Sequence, residues 1–193
     1  MAWKQERFKE LINQVRLSLK GRPTSVGVPF FVYVYEPHDE RSCLRNFENL
    51  AGQFQNEGFH IQVIYLGRVL AQALRETPYL TPRGLEIEKG QREPLRKELS
   101  RILPDRIAGI LLQGGEGVPE PLEGNDPLGK GAFLLRAGAL FPFVHVSQIL
   151  AHLENRTRWT IVVPFPGSCN PSHPERLRFL NETEGTYYRA III

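Results

Sequence analysis

The residues Glu36-Pro37-His38-Asp39-Glu40 put three carboxylates and an imidazole within one turn of chain. Glu36, His38 and Asp39 are donors that could hold a divalent cation or exchange protons with a substrate. A structural reading stands beside this one: Pro37 stops a strand, Asp39 caps the following helix, and Glu40 meets the positive end of its dipole. A second candidate is Gly124-Asn125-Asp126-Pro127-Leu128-Gly129-Lys130-Gly131, one residue short of the phosphate-binding pattern G-x-x-x-x-G-K-[ST]. Phosphate would sit at Lys130 and Gly131. Gly131, however, lacks the hydroxyl that holds magnesium, a strand-like run follows where a helix is needed, and Glu116, Glu120 and Glu123 would repel the ligand. A third candidate is the basic set Arg156, Arg158, Arg176 and Arg178, which together would make a small patch for nucleic-acid phosphates. The same set also suits a solvated face, or a surface that meets an acidic protein. His145 and His152 lie two turns apart, not at the i, i+4 spacing of a helical metal site. Ser168 and Cys169 follow Pro166-Gly167 without a nucleophile elbow, and Cys43 falls on an apolar helix face as a core residue.

The elements that would position these groups alternate between strand and helix. Phe8, Leu11, Ile12, Val15 and Leu19 recur at helical spacing, and Gly21 and Pro23 end that helix. Phe30 to Tyr35 is a continuous β-branched and aromatic run, which suits a strand buried on both faces. A helix follows to about Glu57, with Leu44, Phe47, Leu50, Ala51 and Phe54 inward. Ile61 to Tyr65 alternates as a strand, and Leu66 to Arg75 is helical. Residues 77–92 are loop-like. Pro94 opens a helix through Leu95, Leu99 and Ile102, which Pro104 closes. Ile107 to Gln113 fits a buried strand or a short helix equally. Residues 114–131, rich in Gly, Pro and acid, form a long exposed loop. Then come a strand at 132–136, a helix at 144–153, and a strand at 159–163 ended by Pro164-Phe165-Pro166-Gly167. One or two helical turns at 174–180 follow, then a last strand at 187–193. Its apolar end is expected either deep inside the sheet or covered by a partner. This alternation predicts an α/β fold with a mainly parallel sheet in one domain.

Composition bounds the rest. The 193 residues are enough to bury a core without disulfides or metals. A net charge of +3 is too small to require a nucleic-acid or membrane partner and too small to exclude one. Two distant cysteines exclude a disulfide scaffold and a cysteine-built zinc site. With no apolar run near the roughly 18 residues of a span and no signal-peptide core at the N-terminus, a cytoplasmic protein is expected.

Four stretches, taken in order, resemble the BrxB family of the BREX bacteriophage-exclusion loci. They are Val28-Pro29-Phe30-Phe31-Val32-Tyr33, Gly138-Ala139-Leu140-Phe141-Pro142-Phe143, Val163-Pro164-Phe165-Pro166-Gly167 and Tyr187-Tyr188-Arg189-Ala190. The resemblance runs from the first strand to the last residue. Against the family pattern, 114–131 reads as an insertion, which makes Ile107 to Gln113 helix rather than strand. His145 and Ser147 stand where the family tends to carry a basic residue and a histidine. The resemblance implies a Rossmann-like three-layer domain spanning 1–193, degenerate P-loop-like at most. It implies no catalytic residues, no cofactor, and an adaptor role in antiviral defence. The adaptor would link the PglZ alkaline-phosphatase-like protein to the BrxC-like ATPase, with the BREX methyltransferase as a further candidate partner. Gly138, Pro142, Pro164, Pro166 and Gly167 would shape strand ends, and Tyr187, Tyr188 and Arg189 would face a partner. The competing expectations are a nucleotide- or metal-dependent enzyme using Lys130 and Gly131 or the 36–39 cluster, and a DNA-contacting module using the four arginines.

Overall fold

A computed structural model describes residues 5–77, 92–115, 120–122, 128–170, 172–173, 176–180, 183–187 and 189–193. Helix α1 (Gln5–Leu19) leads to strand β1 (Phe30–Tyr35), a 3-10 turn (Pro37–Asp39) and α2 (Glu40–Asn56). Then come β2 (His60–Tyr65), α3 (Leu66–Arg75), α4 (Arg92–Gln113) and β3 (Lys130–Leu135). A second 3-10 turn (Ala137–Leu140) precedes α5 (Val146–Leu153), β4 (Thr160–Cys169), β5 (Arg176–Phe179), β6 (Thr183–Tyr187) and β7 (Ile191–Ile192). Five strands form a parallel sheet in the order β2-β3-β4-β1-β7, with β5 and β6 attached antiparallel beyond β4.

The apolar pattern explains the layers. All six residues of β1 are buried, as a central parallel strand requires. Phe31, Tyr33 and Tyr35 face the inner sides of α1 and α2, with Leu11, Val15, Phe47 and Phe54. Phe8, Tyr33, Phe47 and Phe133 meet edge to face at centroid distances of 5.4–5.8 Å. Phe30, Val32 and Val34 face the other way, into a core made with α3, α4 and α5. Helices therefore cover both faces of a mainly parallel sheet, the Rossmann-like arrangement expected.

Pro104 does not end its helix: α4 runs through it to Gln113. An interior proline costs roughly 3 kcal/mol. The turns beyond it bury Ile107, Ala108, Ile110, Leu111 and Leu112, and each large apolar side chain contributes about 1.5–3 kcal/mol. Burial outweighs the proline. Residues 107–113 are helix, as the resemblance implied.

The 164–167 segment does not end its strand either. β4 continues to Cys169, with Pro164 opposite Tyr33 and Pro166 opposite Tyr35. Alternation explains why the sheet tolerates them. The Ile161 amide donates to the Pro29 carbonyl on the β1 side, so residues 164 and 166 present their nitrogens to the opposite side. There β3 pairs no further than Val162, so neither proline removes a donor from the β3–β4 ladder.

Two further expectations are corrected. Residues 176–180 are not helical: 176–179 form β5, whose Leu177 and Phe179 are buried, and 174–175 lie outside the described residues. The apolar ending is not one strand but two, β6 on the hairpin and β7 beside β1. The parallel sheet ends at β7, so this strand lies at its edge rather than inside it, with Ile191 and Ile192 half-buried. Among the described residues no helix is long and apolar enough to cross a membrane.

Candidate partner-docking surface

The carboxyl ends of the parallel strands are where open α/β sheets usually bind ligands. At the end of β3, Arg136 turns the chain in a left-handed conformation (φ 61°, ψ 47°) into the 3-10 turn containing Gly138. A Cβ at Gly138 would lie 3.6 Å from Pro166 Cγ. The Gly138–Phe143 and Val163–Gly167 motifs, apart in the sequence, thus pack against each other. The Phe141–Pro142 peptide is cis. Phe141 is 42% exposed and stacks on Phe179 at 5.2 Å, and Phe179 meets Phe165 edge-on at 5.6 Å. Leu180, 40% exposed and also left-handed (φ 50°), donates its amide to the Pro166 carbonyl at 3.0 Å.

Phe141 and Leu180 are two of the four large apolar side chains exposed among the described residues, and they flank one ledge. Nothing in the sequence singles out Leu180 and Phe179, because the residues of their hairpin read as helix. Phe141 stands inside one of the four family-like stretches, with nothing to distinguish it there.

Gly167 has a specific reason to be glycine. A Cβ there would fall 1.9 Å from the Arg178 carbonyl oxygen. It is a strand residue crowded by the neighbouring backbone, not a residue shaping a strand end.

The 36–39 cluster lies on the same edge but does not converge on a metal. His38 Nε2 is 3.7 Å from Asp39 Oδ1, both exposed. Among the described residues no group of three or more His, Cys, Asp and Glu is placed to share an ion. Asp39 stands at the helix N-cap without a side-chain capping bond. The Tyr35 hydroxyl donates to the Glu40 carboxylate, and burial first and that carboxylate second push the phenol upward. The Tyr65 hydroxyl donates to Glu48, with the Arg68 guanidinium 5.3 Å from the Tyr65 ring. These pairs fasten α2 and α3 to the strand ends.

The remaining candidates hold structural contacts. Gly131 begins the interior of β3, and a Cβ there would lie 3.0–3.1 Å from the Thr160 carbonyl, Ile61 and Leu19. It is a packing glycine under α1. Lys130, in the same strand, has its Nζ 5.7 Å from the Trp159 ring. A strand stands where a phosphate loop would need a helix, so no P-loop forms at these two residues; residues 124–127 lie outside those described. His145 donates its amide to Gln148 at the start of α5. His152 bridges α5 to α4, with Nε2 2.7 Å from Asp105 and Nδ1 2.8 Å from the Gln148 carbonyl. Cys43 is buried in the core, which pushes its thiol upward and makes it a poor nucleophile. Ser168 and Cys169 are β4 residues opposite Arg178 and Leu177.

The four arginines do not line one site. Arg156 and Arg158 line a cavity near the amino ends of the strands together with Arg22, whereas Arg176 and Arg178 lie on β5 outside that lining. Arg189 forms an ion pair with Glu154, which ties the approach to β7 onto the end of α5. Tyr187 ends β6, and Tyr188 lies outside the described residues.

A family model described as BREX protein BrxB matches residues 66–193. The match runs from the first residue of α3 and includes both ledge motifs and the Tyr187–Ala190 segment; β1 lies outside it. No curated protein and no solved structure matches the chain.

Proposed function

The chain belongs to the BrxB family and is a component of a BREX antiphage system, and from that premise we propose that it works there as a non-catalytic adaptor. In this reading it holds the PglZ alkaline-phosphatase-like protein against the BrxC-like ATPase. The observation that carries the proposal is the convergence of two distant motifs on one exposed ledge. Gly138 packs against Pro166, and Phe141 and Leu180 are left facing outward. Exposed aromatic and apolar anchors set in a fixed backbone are what protein interfaces use as energetic centres. Two of the three non-glycine residues with left-handed backbone among the described residues, Arg136 and Leu180, flank the ledge. Each costs roughly 1–3 kcal/mol, and such strain collects where a fixed geometry serves a function.

The non-catalytic part is supported by the duties the candidate groups already have. His152 is bound to Asp105, Tyr35 to Glu40, and Cys43 is packed in the core. The experiment is co-expression with the PglZ-like and BrxC-like proteins of the same locus, purification on this chain, and mass determination by light scattering. A stoichiometric complex containing both is expected. Recovery of this chain without either protein would contradict the adaptor reading.

A further inference from the structure

Near the amino ends of the strands lies a cavity of about 760 Å³ that the adaptor reading does not use. Its walls come from the end of α1, the loop before β1, Leu128 ahead of β3, and residues 155–158 between α5 and β4. Among the described residues of this lining, three are arginines, Arg22, Arg156 and Arg158, and none is acidic. Among the described residues none of the three has an acidic partner. Some arginines elsewhere do have one: Arg16 is paired with Glu57, Arg106 with Glu76, and Arg189 with Glu154.

Three positive charges gathered in one concavity raise the local concentration of anions. Guanidinium forks also match phosphate oxygens two at a time. The volume falls within the range of roughly 300–1,000 Å³ that small-molecule sites occupy. An apolar wall is present too. Leu128 is 60% exposed and reaches over Gly21, where a Cβ would come within 3.0 Å of its Cδ1. Gly21 also has φ +80°, which favours glycine, so the cavity floor stays open at this point. The opposite end of the sheet, the customary place for phosphates in such folds, is mixed in charge, with Glu36, Asp39 and Glu40 beside Arg68 and Arg136.

We propose that this cavity binds a phosphorylated ligand of nucleotide size, its phosphates on Arg22, Arg156 and Arg158 and its ring against Leu128. The inference rests on the cavity alone and stands or falls apart from the adaptor reading. The proposed ligand is a free nucleotide; a nucleic-acid strand presents the same phosphates, and the test separates the two. Calorimetric titrations of the full chain would use ATP and, separately, a short single-stranded oligothymidylate, each at low and at moderate salt. The same titrations would be run on the double variant Arg156→Ala/Arg158→Ala and on Arg22→Ala, with circular dichroism confirming their fold. The expected result is saturable binding of one ATP per chain, weakened roughly tenfold or more in the double variant and less in Arg22→Ala. Absence of saturable ATP binding, or an affinity untouched by the arginine variants, would overturn the proposal. Tighter binding of the oligothymidylate, falling steeply with salt, would overturn it in favour of a strand-binding surface.

Discussion

Gly167 is crowded by a neighbouring backbone rather than by a side chain, so no rotamer change can relieve an added methyl group. With the Arg178 carbonyl oxygen 1.9 Å from the Cβ position, Gly167→Ala must push β5 away from β4. A loss of about 3 kcal/mol or more in a urea unfolding measurement is expected; a loss under about 1 kcal/mol would show that the hairpin gives way freely. Gln62 presents the opposite case. It is 4% exposed on β2, and among the described residues neither its Nε2 nor its Oε1 has a hydrogen-bond partner. Removing an unsatisfied buried amide without changing its bulk should help, so Gln62→Leu is expected to stabilise the fold by about 1–2 kcal/mol in the same assay. Glu57 gives a pH signature. The two-pronged hydrogen bond from Arg16, at 2.8 and 2.9 Å, is the main cause that holds its carboxyl down to about 2. The pair's contribution is present above the ordinary carboxylate pKa near 4.5 and fades as pH falls towards 2. Wild type and Arg16→Gln should therefore differ most in stability above that value and converge in acid. A difference that grows as pH falls would contradict the assignment.

Elements are readable in the sequence where one local rule decides them. β1 declares itself because a strand buried on both faces has no polar alternation to keep. α2 does so because Cys43, Phe47, Leu50 and Phe54 share a single face. Expectation and structure part where a local rule loses to tertiary context. Pro104 is a helix breaker only if the residues beyond it gain little from remaining helical, and here five of them are buried and apolar. Pro164 and Pro166 end a strand only if their nitrogens face a paired neighbour, and no propensity reports on which side β3 stops pairing. The Phe141–Leu180 ledge is half readable. Its two motifs can be named, but the contact of Gly138 with Pro166 depends on the 3-10 turn after β3, and Phe179 with Leu180 on a hairpin that the residues around Pro174 disguise as helix. The hairpin is part of the core rather than an appendage, since Leu177 is fully buried with the α3–α5 face. Leu177→Ala should accordingly cost about 2–4 kcal/mol of global stability by chemical denaturation. A cost near zero, with the main transition unchanged, would mean that the hairpin unfolds by itself.

At the scale of the whole molecule the two ends of the sheet have opposite character. The carboxyl end is fastened by hydroxyl–carboxylate pairs at Tyr35 and Tyr65 and exposes the Phe141 and Leu180 ledge. The amino end holds a cavity lined by three arginines without acidic partners among the described residues. The proposed adaptor would use the exposed apolar ledge at one end and leave the arginine-lined cavity at the other end free. The most direct test of the central claim is the composition of the BREX subcomplex purified on the Phe141→Asp variant, beside wild type. A charge in the centre of an apolar contact typically removes more than about 2 kcal/mol of binding, a loss of about thirtyfold or more. Phe141 is already 42% exposed, so the fold should survive. The account predicts a folded variant that loses either the PglZ-like or the BrxC-like protein while wild type retains both. A folded variant that retains both partners at wild-type affinity would contradict it.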